Sequence, residues 1–385
     1  MTRKGEDNMI IGTIKESNES RIAIVPQVAK KLGNIDNVQV VMQSSITELF
    51  DEQSYNDAGV QFLSREEVLK TVDILLLFHP LPVDEIKLLK KGTMIISHMD
   101  PYNNKSYVDE LVNANVNSFS MEMIPRSTIA QKMDSLSSQA SLAGYVSVIQ
   151  GASLMEKIFP MMMTPSGTIA PAKVFVIGVG VAGLQAIATA KRLGAKVEAF
   201  DTRPTVEEQV QSLGAKFVKV DLGEMSQTKD GYANELTKEQ LQMQQAAMEK
   251  SCINADLVIT TAKLFGRKAP VIVTDAIVSK MKKGSVIVDL AASTGGNVEG
   301  TVLNQITNVH GVQIVGTDNL EKQVPLDAST MYANNLYNLL THLHDKYNNK
   351  FDFSSDEIAQ SAVITFEGKV VNERINEFYT KGGIK

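Results

Sequence analysis

Residues 173–204 contain the positions whose types and spacing could bind a dinucleotide. Gly178, Gly180 and Gly183 stand in G-x-G-x-x-G order, and Asp201 follows the last of them by eighteen residues. Each has a task in such a site. Gly178 permits a tight turn, and Gly180 lets the backbone approach a pyrophosphate resting on a helix N-terminus. Gly183 lets helix and strand pack closely, while Asp201 accepts hydrogen bonds from a ribose diol. An acid at this place repels a 2′-phosphate, which favours NAD over NADP. Arg203 tempers that preference, because its guanidinium can reach a phosphate.

A second concentration of polar chemistry lies upstream. Arg126, Gln131, Asp134 and Ser137 fall within one short stretch, IPRSTIAQKMDSLSS. It leads into an Ala- and Ser-rich segment with apolar residues at helical spacing. Arg126 can meet a pyrophosphate or ribose, and Gln131 and Asp134 offer an amide and a carboxylate to a nicotinamide. The plainer alternative stays open: Asp134 or Ser137 caps the following helix, and Arg126 pairs with Asp134. No Ser-His-Asp or metal-ligand constellation stands out. His79 and His98 follow strands, where a ligand could sit, and His310, His342 and His344 read as surface residues.

The elements that must position these groups follow from apolar periodicity. Around the glycines the pattern predicts a strand over 174–177, a helix over 184–193 and a second strand over 196–200. That order, with the acid at its end, is what gives the glycine spacing its weight. The first third alternates strands (10–14, 38–42, 73–78, 93–97, 116–120) with helices (26–32, 52–58, 64–70, 82–90, 105–113). Such alternation predicts a mostly parallel sheet covered on both faces. A long helix over 137–157 crosses to the second half. Residues 159–171 read as a loop whose Met161–Met163 run serves packing. Further strands fall at 216–220, 257–261, 286–290 and 313–315, with a polar loop over 221–238 and a helix over 239–252. A final amphipathic helix over 329–347 carries Met331, Leu336, Leu339, Leu340 and Leu343 on one face, and the tail ITFEGKVV reads as a hairpin. The expected fold is α/β: two Rossmann-like domains with mostly parallel sheets, joined by long crossing helices. Their bounds are 1–136 with 326–385, and 137–325.

Composition narrows the function. The chain has 385 residues, enough for two domains with real cores. Hydrophobic residues make up 43% and charged residues 21%, as in ordinary globular proteins. A net charge of −6, without a basic run, argues against a nucleic-acid partner. The one cysteine, Cys252, excludes an internal disulfide and suits a reducing compartment. It reads as a packed or idle thiol. No secretory signal is visible, and residues 1–8 read as a disordered extension, with Met9 an alternative start. Residues 174–190 carry no charge, but their glycines fit a strand–turn–helix better than a membrane span.

Taken together, these stretches resemble the NAD(H)-binding component, domain I, of proton-translocating NAD(P) transhydrogenase. The resemblance covers nearly the whole chain. Its most specific pieces are RSTIAQKMDSLSSQASLAGY and GVGVAGLQAIATAKRLGAKVEAFDTRP; IKE…ESRIAIVP, DGYANEL and VIVDLAASTGGN also match. It implies that Arg126, Gln131, Asp134 and Ser137 form the loop that orders the nicotinamide and its phosphates. It places Val181 against the pyrophosphate and Asp201, Thr202 and Arg203 at the adenosine end, with Ala262 also in the nucleotide site. Gly231 and Tyr232 would sit on a mobile closing loop, with Gln244 behind it. It further implies a homodimer that docks on a membrane-anchored partner holding NADP(H). Hydride would pass directly between the two nicotinamides, and proton movement would belong to the partner. The chain would then be a separate cytoplasmic subunit, held at the membrane through its partners. It departs from the family pattern at residues 263–267 and at Ala292-Ser293-Thr294. Alanine dehydrogenase, an NAD-dependent enzyme, is similar in fold and in its opening IKE…R, with Arg21 and His98 as counterparts of its substrate Arg and catalytic His. Its Lys-x-Lys-Glu-Pro turn is replaced here by LLLFHPLP, without the Lys.

Overall fold

The computed structural model describes residues 8–46, 48–220, 238–263, 268–345, 350–354 and 356–381. The extension 1–7, the polar loop 221–237 with Gly231 and Tyr232, and residues 264–267 lie outside the described residues. The chain forms two compact units, one of Met1–Gln139 with Val324–Lys385 and one of Ala140–Gln323.

Among the described residues, the first unit is built on an eight-stranded sheet. Its order is Lys369–Val370, Val363–Phe366, Asn117–Ser120, Met94–Ser97, Ile74–Leu76, Met9–Thr13, Val38–Gln43, Gln61–Leu63. The six N-terminal strands run parallel, and the C-terminal hairpin adds antiparallel to Asn117–Ser120. The central strands are buried along their whole length, as apolar runs in a doubly covered parallel sheet must be. Gln61–Leu63 is a strand that periodicity did not reveal: it is a three-residue edge strand, too short to carry an alternating pattern. The helix expected over 82–90 is only Val83–Ile86, because Leu88 and Leu89 bond back three residues to Glu85 and Ile86 and the chain winds on as turns. Ser64 starts the helix Arg65–Thr71 with a complete capping box to Glu67.

The helix Pro325–Leu343 belongs to this unit, with Pro at its first position. Tyr332, Leu336, Leu339, Leu340 and Leu343 enter the core, but Met331 is 41% exposed and lies off the expected apolar face. His342 is also less exposed than expected; its ring bonds the Asp356 carboxylate, which caps the helix Glu357–Ala362.

In the second unit the described sheet runs Lys216–Phe217, Lys196–Phe200, Lys173–Ile177, Leu257–Thr260, Val286–Asp289, Val312–Val315, Ile306–Val309. All neighbours are parallel except the last, Ile306–Val309, an edge strand the sequence pattern did not disclose. The strand order reverses direction at Lys173–Ile177 and Leu257–Thr260. The carboxyl ends of those two strands are therefore the topological switch point, where such sheets bind ligands. Cys252 is fully buried in this unit's core, and burial pushes its thiol up to about 12.

The crossing helix is Ser135–Leu154, and the division between the units falls inside it, after Gln139. The segment expected as a loop contains an antiparallel hairpin, Met162–Thr164 with Gly167–Ile169. The packing role expected of Met161–Met163 fails: these residues are 60%, 45% and 74% exposed. No helix among the described residues is long and apolar enough to cross a membrane.

Candidate functional site

At the switch point of the second unit the chain leaves Lys173–Ile177 through Gly178, which sits at φ +95°. Only glycine takes that backbone conformation cheaply. A Cβ on Gly178 would also lie 2.5 Å from Thr261 Oγ1, whose hydroxyl donates to the Gly178 carbonyl at 3.0 Å. Gly183 is more constrained still, since a Cβ there would stand 1.9 Å from the Gly178 carbonyl oxygen. Gly180 differs from both. A Cβ on it would meet nothing within 4 Å, so open space lies in front of the backbone there. Gly180 is the N-cap of the helix Val181–Arg192, and no side chain caps this end. Val181, first in the helix, is 44% exposed. A cradle that is closed behind, open in front and unprovided with a capping acceptor fits a pyrophosphate. Gly144, in the crossing helix, closes the other side, because a Cβ there would lie 2.2 Å from the Ala182 carbonyl oxygen.

Asp201 follows the next strand. It accepts from the Val179 N–H at 2.7 Å and from Arg203 N–H, Nε and Nη2 at 2.8, 3.0 and 3.1 Å. Burial alone would push its carboxyl up, but the bonds from Arg203 and Val179 outweigh burial and hold it below the usual carboxylate range. Asp201 is therefore a fixed anion at the end of this strand. The Arg203 guanidinium pairs with it, with 53% of its side chain exposed. Thr202 beside it is exposed.

Ala262 is held by a residue that sequence reasoning missed. Asn297, fully buried, accepts from the Ala262 N–H at 3.0 Å and donates to the Ala262 and Pro270 carbonyls at 3.1 and 2.8 Å. Asn297 is itself fixed by the buried Asp289 carboxylate. That carboxylate accepts from Thr260 Oγ1, the Ala291 and Asn297 N–H groups and Thr301 Oγ1 at 2.8–3.0 Å. The signal for this scaffold was present in VIVDLAASTGGN: an acid ending a buried strand, then a Gly-Gly-Asn turn to wrap it. Gln244 lies on the helix Lys238–Asn254, and its side chain is outside the described residues.

The upstream loop lies in the first unit. Residues Ala130–Met133 form a short 3-10 turn with Ala130 and Met133 buried. Asp134 then stands immediately before the crossing helix and accepts the Ser137 N–H at 2.9 Å and the Ser137 hydroxyl at 2.5 Å. This is an N-cap, so the capping half of the plainer alternative holds. The pairing of Arg126 with Asp134 does not form. Arg126 and Gln131 are exposed, and their side chains have no partner among the described residues.

Arg21 and His98 are committed elsewhere in the first unit. Arg21 is buried, pairs through Nε and Nη2 with Glu19 at 2.9 and 2.8 Å, donates to Gln139 at 2.9 Å and lies 4.2 Å over the Phe78 ring. His79 bonds Glu19 at 2.6 Å. His98 Nε2 meets Ser135 Oγ at 2.7 Å. Burial drives the His98 imidazole down to about 3, and the charges of Arg21 and His79 act in the same direction.

Comparison with known proteins identifies the family. Residues 12–143 match the family description "Alanine dehydrogenase/PNT, N-terminal domain", and residues 147–373 match "Alanine dehydrogenase/PNT, C-terminal domain". An NAD(P) transhydrogenase alpha-subunit protein of Rickettsia prowazekii is 42% identical over 95% of this chain and 96% of its own. The crystal structure of a transhydrogenase from Sinorhizobium meliloti superposes with a TM-score of 0.83 at 38% identity, covering 95% of this chain and 99% of that one. An alanine dehydrogenase of Staphylococcus haemolyticus is 26% identical over 96% of each chain.

Proposed function

Because the chain belongs to the alanine dehydrogenase/PNT family, on its transhydrogenase alpha-subunit side, we propose that it binds NAD(H) and passes hydride from NADH to NADP⁺ held by another subunit. The observation that carries this reading is the Gly178–Gly183 turn with Asp201 at its side, closed behind and open before Gly180. Bound NADH supplies the hydride. The protein supplies position. Gly180 and Val181 hold the pyrophosphate, Asp201, Thr202 and Arg203 hold the adenosine ribose, and Ala262 lines the same turn. Arg126 and Gln131 offer unpaired side chains to the nicotinamide end, on a loop whose shape Asp134 and Ser137 fix. A hydride donor and acceptor need no general base between them. Catalysis here is proximity and orientation of two rings.

Membrane partners carry the NADP(H) site and the proton pathway, the alpha chain docks at the cytoplasmic membrane face through them, and it works as a homodimer. The fate of Arg21 and His98 favours transhydrogenation over amino-acid oxidation. The guanidinium that would face a substrate carboxylate is taken by Glu19 and Gln139, and Phe78 fills the place beside it.

The test mixes the purified chain with its cognate NADP(H)-binding component and follows hydride exchange between NADH and an NADP⁺ analogue. Exchange is expected only with both components present. Asp134→Asn, which removes the carboxylate charge and turns an N–H toward the Ser137 hydroxyl, is expected to slow exchange about ten-fold, because misplacing a reacting group by an ångström is that costly or worse. Alanine-dependent reduction of NAD⁺ by the chain alone would overturn the reading.

A further inference from the structure

We propose that Asn335 is a positioning residue for this reaction, a staple that fixes the Asp134 turn from the far end of the sequence. The inference rests on the reading of the 126–137 loop given above. Asn335 is on the helix Pro325–Leu343, is 7% exposed, and reaches the chain on both sides of Asp134. Its Nδ2 donates to the Lys132 carbonyl at 3.0 Å, and its Oδ1 accepts from the Ser138 hydroxyl at 2.7 Å. Only one orientation of the amide satisfies both contacts. Turned over, it would set oxygen against the Lys132 carbonyl and N–H against a hydroxyl already pointed at it.

The surroundings make the staple specific. The Ser138 hydroxyl has one proton and two acceptors in reach, Asn335 Oδ1 at 2.7 Å and the Ser135 carbonyl at 3.1 Å, so the shorter bond to Asn335 dominates. Asn338, one turn further along the same helix face, donates to the same Lys132 carbonyl at 3.0 Å. Both lone pairs of that carbonyl are thereby used, and the 3-10 turn Ala130–Met133 has no slack at its end. The consequence falls on Asp134. Among the described residues its carboxylate is bound to Ser137 alone, within its own turn, so the placement of the whole cap relative to the unit depends on the bonds that flank it. Asn335 spans both flanks. Asn338 holds only one.

The experiment compares Asn335→Ala, Asn335→Asp and Asn338→Ala with wild type and with Asp134→Asn, using the full chain and its NADP(H)-binding component. Three quantities are read: kcat of hydride exchange per folded molecule, NADH Kd by nucleotide fluorescence, and hydrogen exchange of amides 130–139. Asn335→Ala is expected to lower kcat about ten-fold and Asn338→Ala about two-fold. NADH Kd is expected to stay within about two-fold in both, since the glycine turn holds most of the nucleotide. Faster exchange is expected to be confined to amides 130–139. Asn335→Asp keeps the volume and the Ser138 acceptor but loses the donor to Lys132, so it gives the same pattern where the alanine variant folds poorly. If Asp134→Asn is slow while both Asn335 variants exchange hydride at the wild-type rate, the staple is refuted and the loop reading survives. If Asp134→Asn is also at wild-type rate, both fall. A general loss of amide protection with kcat per folded molecule unchanged would reduce Asn335 to a structural residue and overturn the proposal.

Discussion

Two helix starts in this molecule solve the same problem by opposite means. The crossing helix Ser135–Leu154 begins at Asp134, which brings its own anion and binds the Ser137 N–H and hydroxyl with it. The helix Val181–Arg192 begins at Gly180, which brings nothing: no side chain caps it, and open space faces it. A helix N-terminus leaves N–H groups that need acceptors, and it carries partial positive charge. The capped start is complete as it stands. The uncapped one leaves its N–H groups to water or to an external anion, which suits it to the pyrophosphate proposed above. One start is shaped by backbone, the other by a side chain bonded to its own turn.

The largest expected effects come from breaking the rigid side. Gly183→Ala puts a methyl 1.9 Å from the Gly178 carbonyl oxygen, and backbone, unlike a flexible side-chain tip, does not yield. The helix start must shift, and NADH affinity is expected to fall on the order of 100-fold, with a lower Tm. Gly180→Ala sharpens the comparison, because its Cβ meets no protein atom and its φ of −84° suits any residue. This variant is expected to fold with wild-type stability and still bind NADH at least about ten-fold more weakly, the methyl standing where the pyrophosphate approaches. Titrations of NADH fluorescence, clean in a chain without Trp, read both. Wild-type affinity in Gly180→Ala would mean that the nucleotide lies elsewhere.

A smaller change is expected at Asp201. Its carboxylate already fixes the Val179 N–H and the Arg203 side chain, so it belongs to the turn as well as being a ligand for ribose. Asp201→Ala is expected to weaken NADH binding about ten-fold and to narrow the preference for NADH over NADPH, since it removes the repulsion of a 2′-phosphate and frees Arg203. Equal losses for the two nucleotides would contradict the ribose assignment.

The difference between the two regions also explains what the sequence disclosed. The glycine turn was legible because its demands are local: the turn itself requires glycine at Gly178 and Gly183, open space in front suits it at Gly180, and a strand and helix flank them in order. Both sheets were legible for the same reason, since continuous apolar runs such as Ile74–Leu76 have one place to go. The side-chain site was only half legible. Spacing singled out Arg126, Gln131, Asp134 and Ser137 as candidates, but it did not decide that Asp134 bonds Ser137 while Arg126 has no partner among the described residues. Nor did it find Asn335, Asp289 or Asn297, whose partners lie far along the chain or beyond the pattern's reach. The exposed Met162–Thr164 hairpin was misread because methionine, equally at home in a core, gives no sign of which way it faces.

The last prediction separates the two regions by pH. Ser135, the first residue after the Asp134 cap, is bonded to His98, whose imidazole is held down to about 3. In the unfolded chain a histidine titrates near 6.5. Between about 6.5 and 3 the unfolded state therefore binds a proton that the folded state refuses, and stability falls as pH drops through that window. From pH 7.5 to 5.5 the loss assigned to this one group is about 1 kcal/mol, before unfolded carboxylates begin to protonate. His98→Gln keeps an acceptor for Ser135 without the titration, so denaturant melts at these two pH values should show wild type losing about 1 kcal/mol more than the variant. The glycine turn, made of backbone and an Asp201 carboxyl that Arg203 and the Val179 N–H hold below its usual range, is expected to contribute no slope here. A wild-type loss equal to the variant's would show that His98 takes up its proton in the folded state. The start of the crossing helix would then depend on pH in the very range where the enclosed, neutral imidazole is expected to hold it constant.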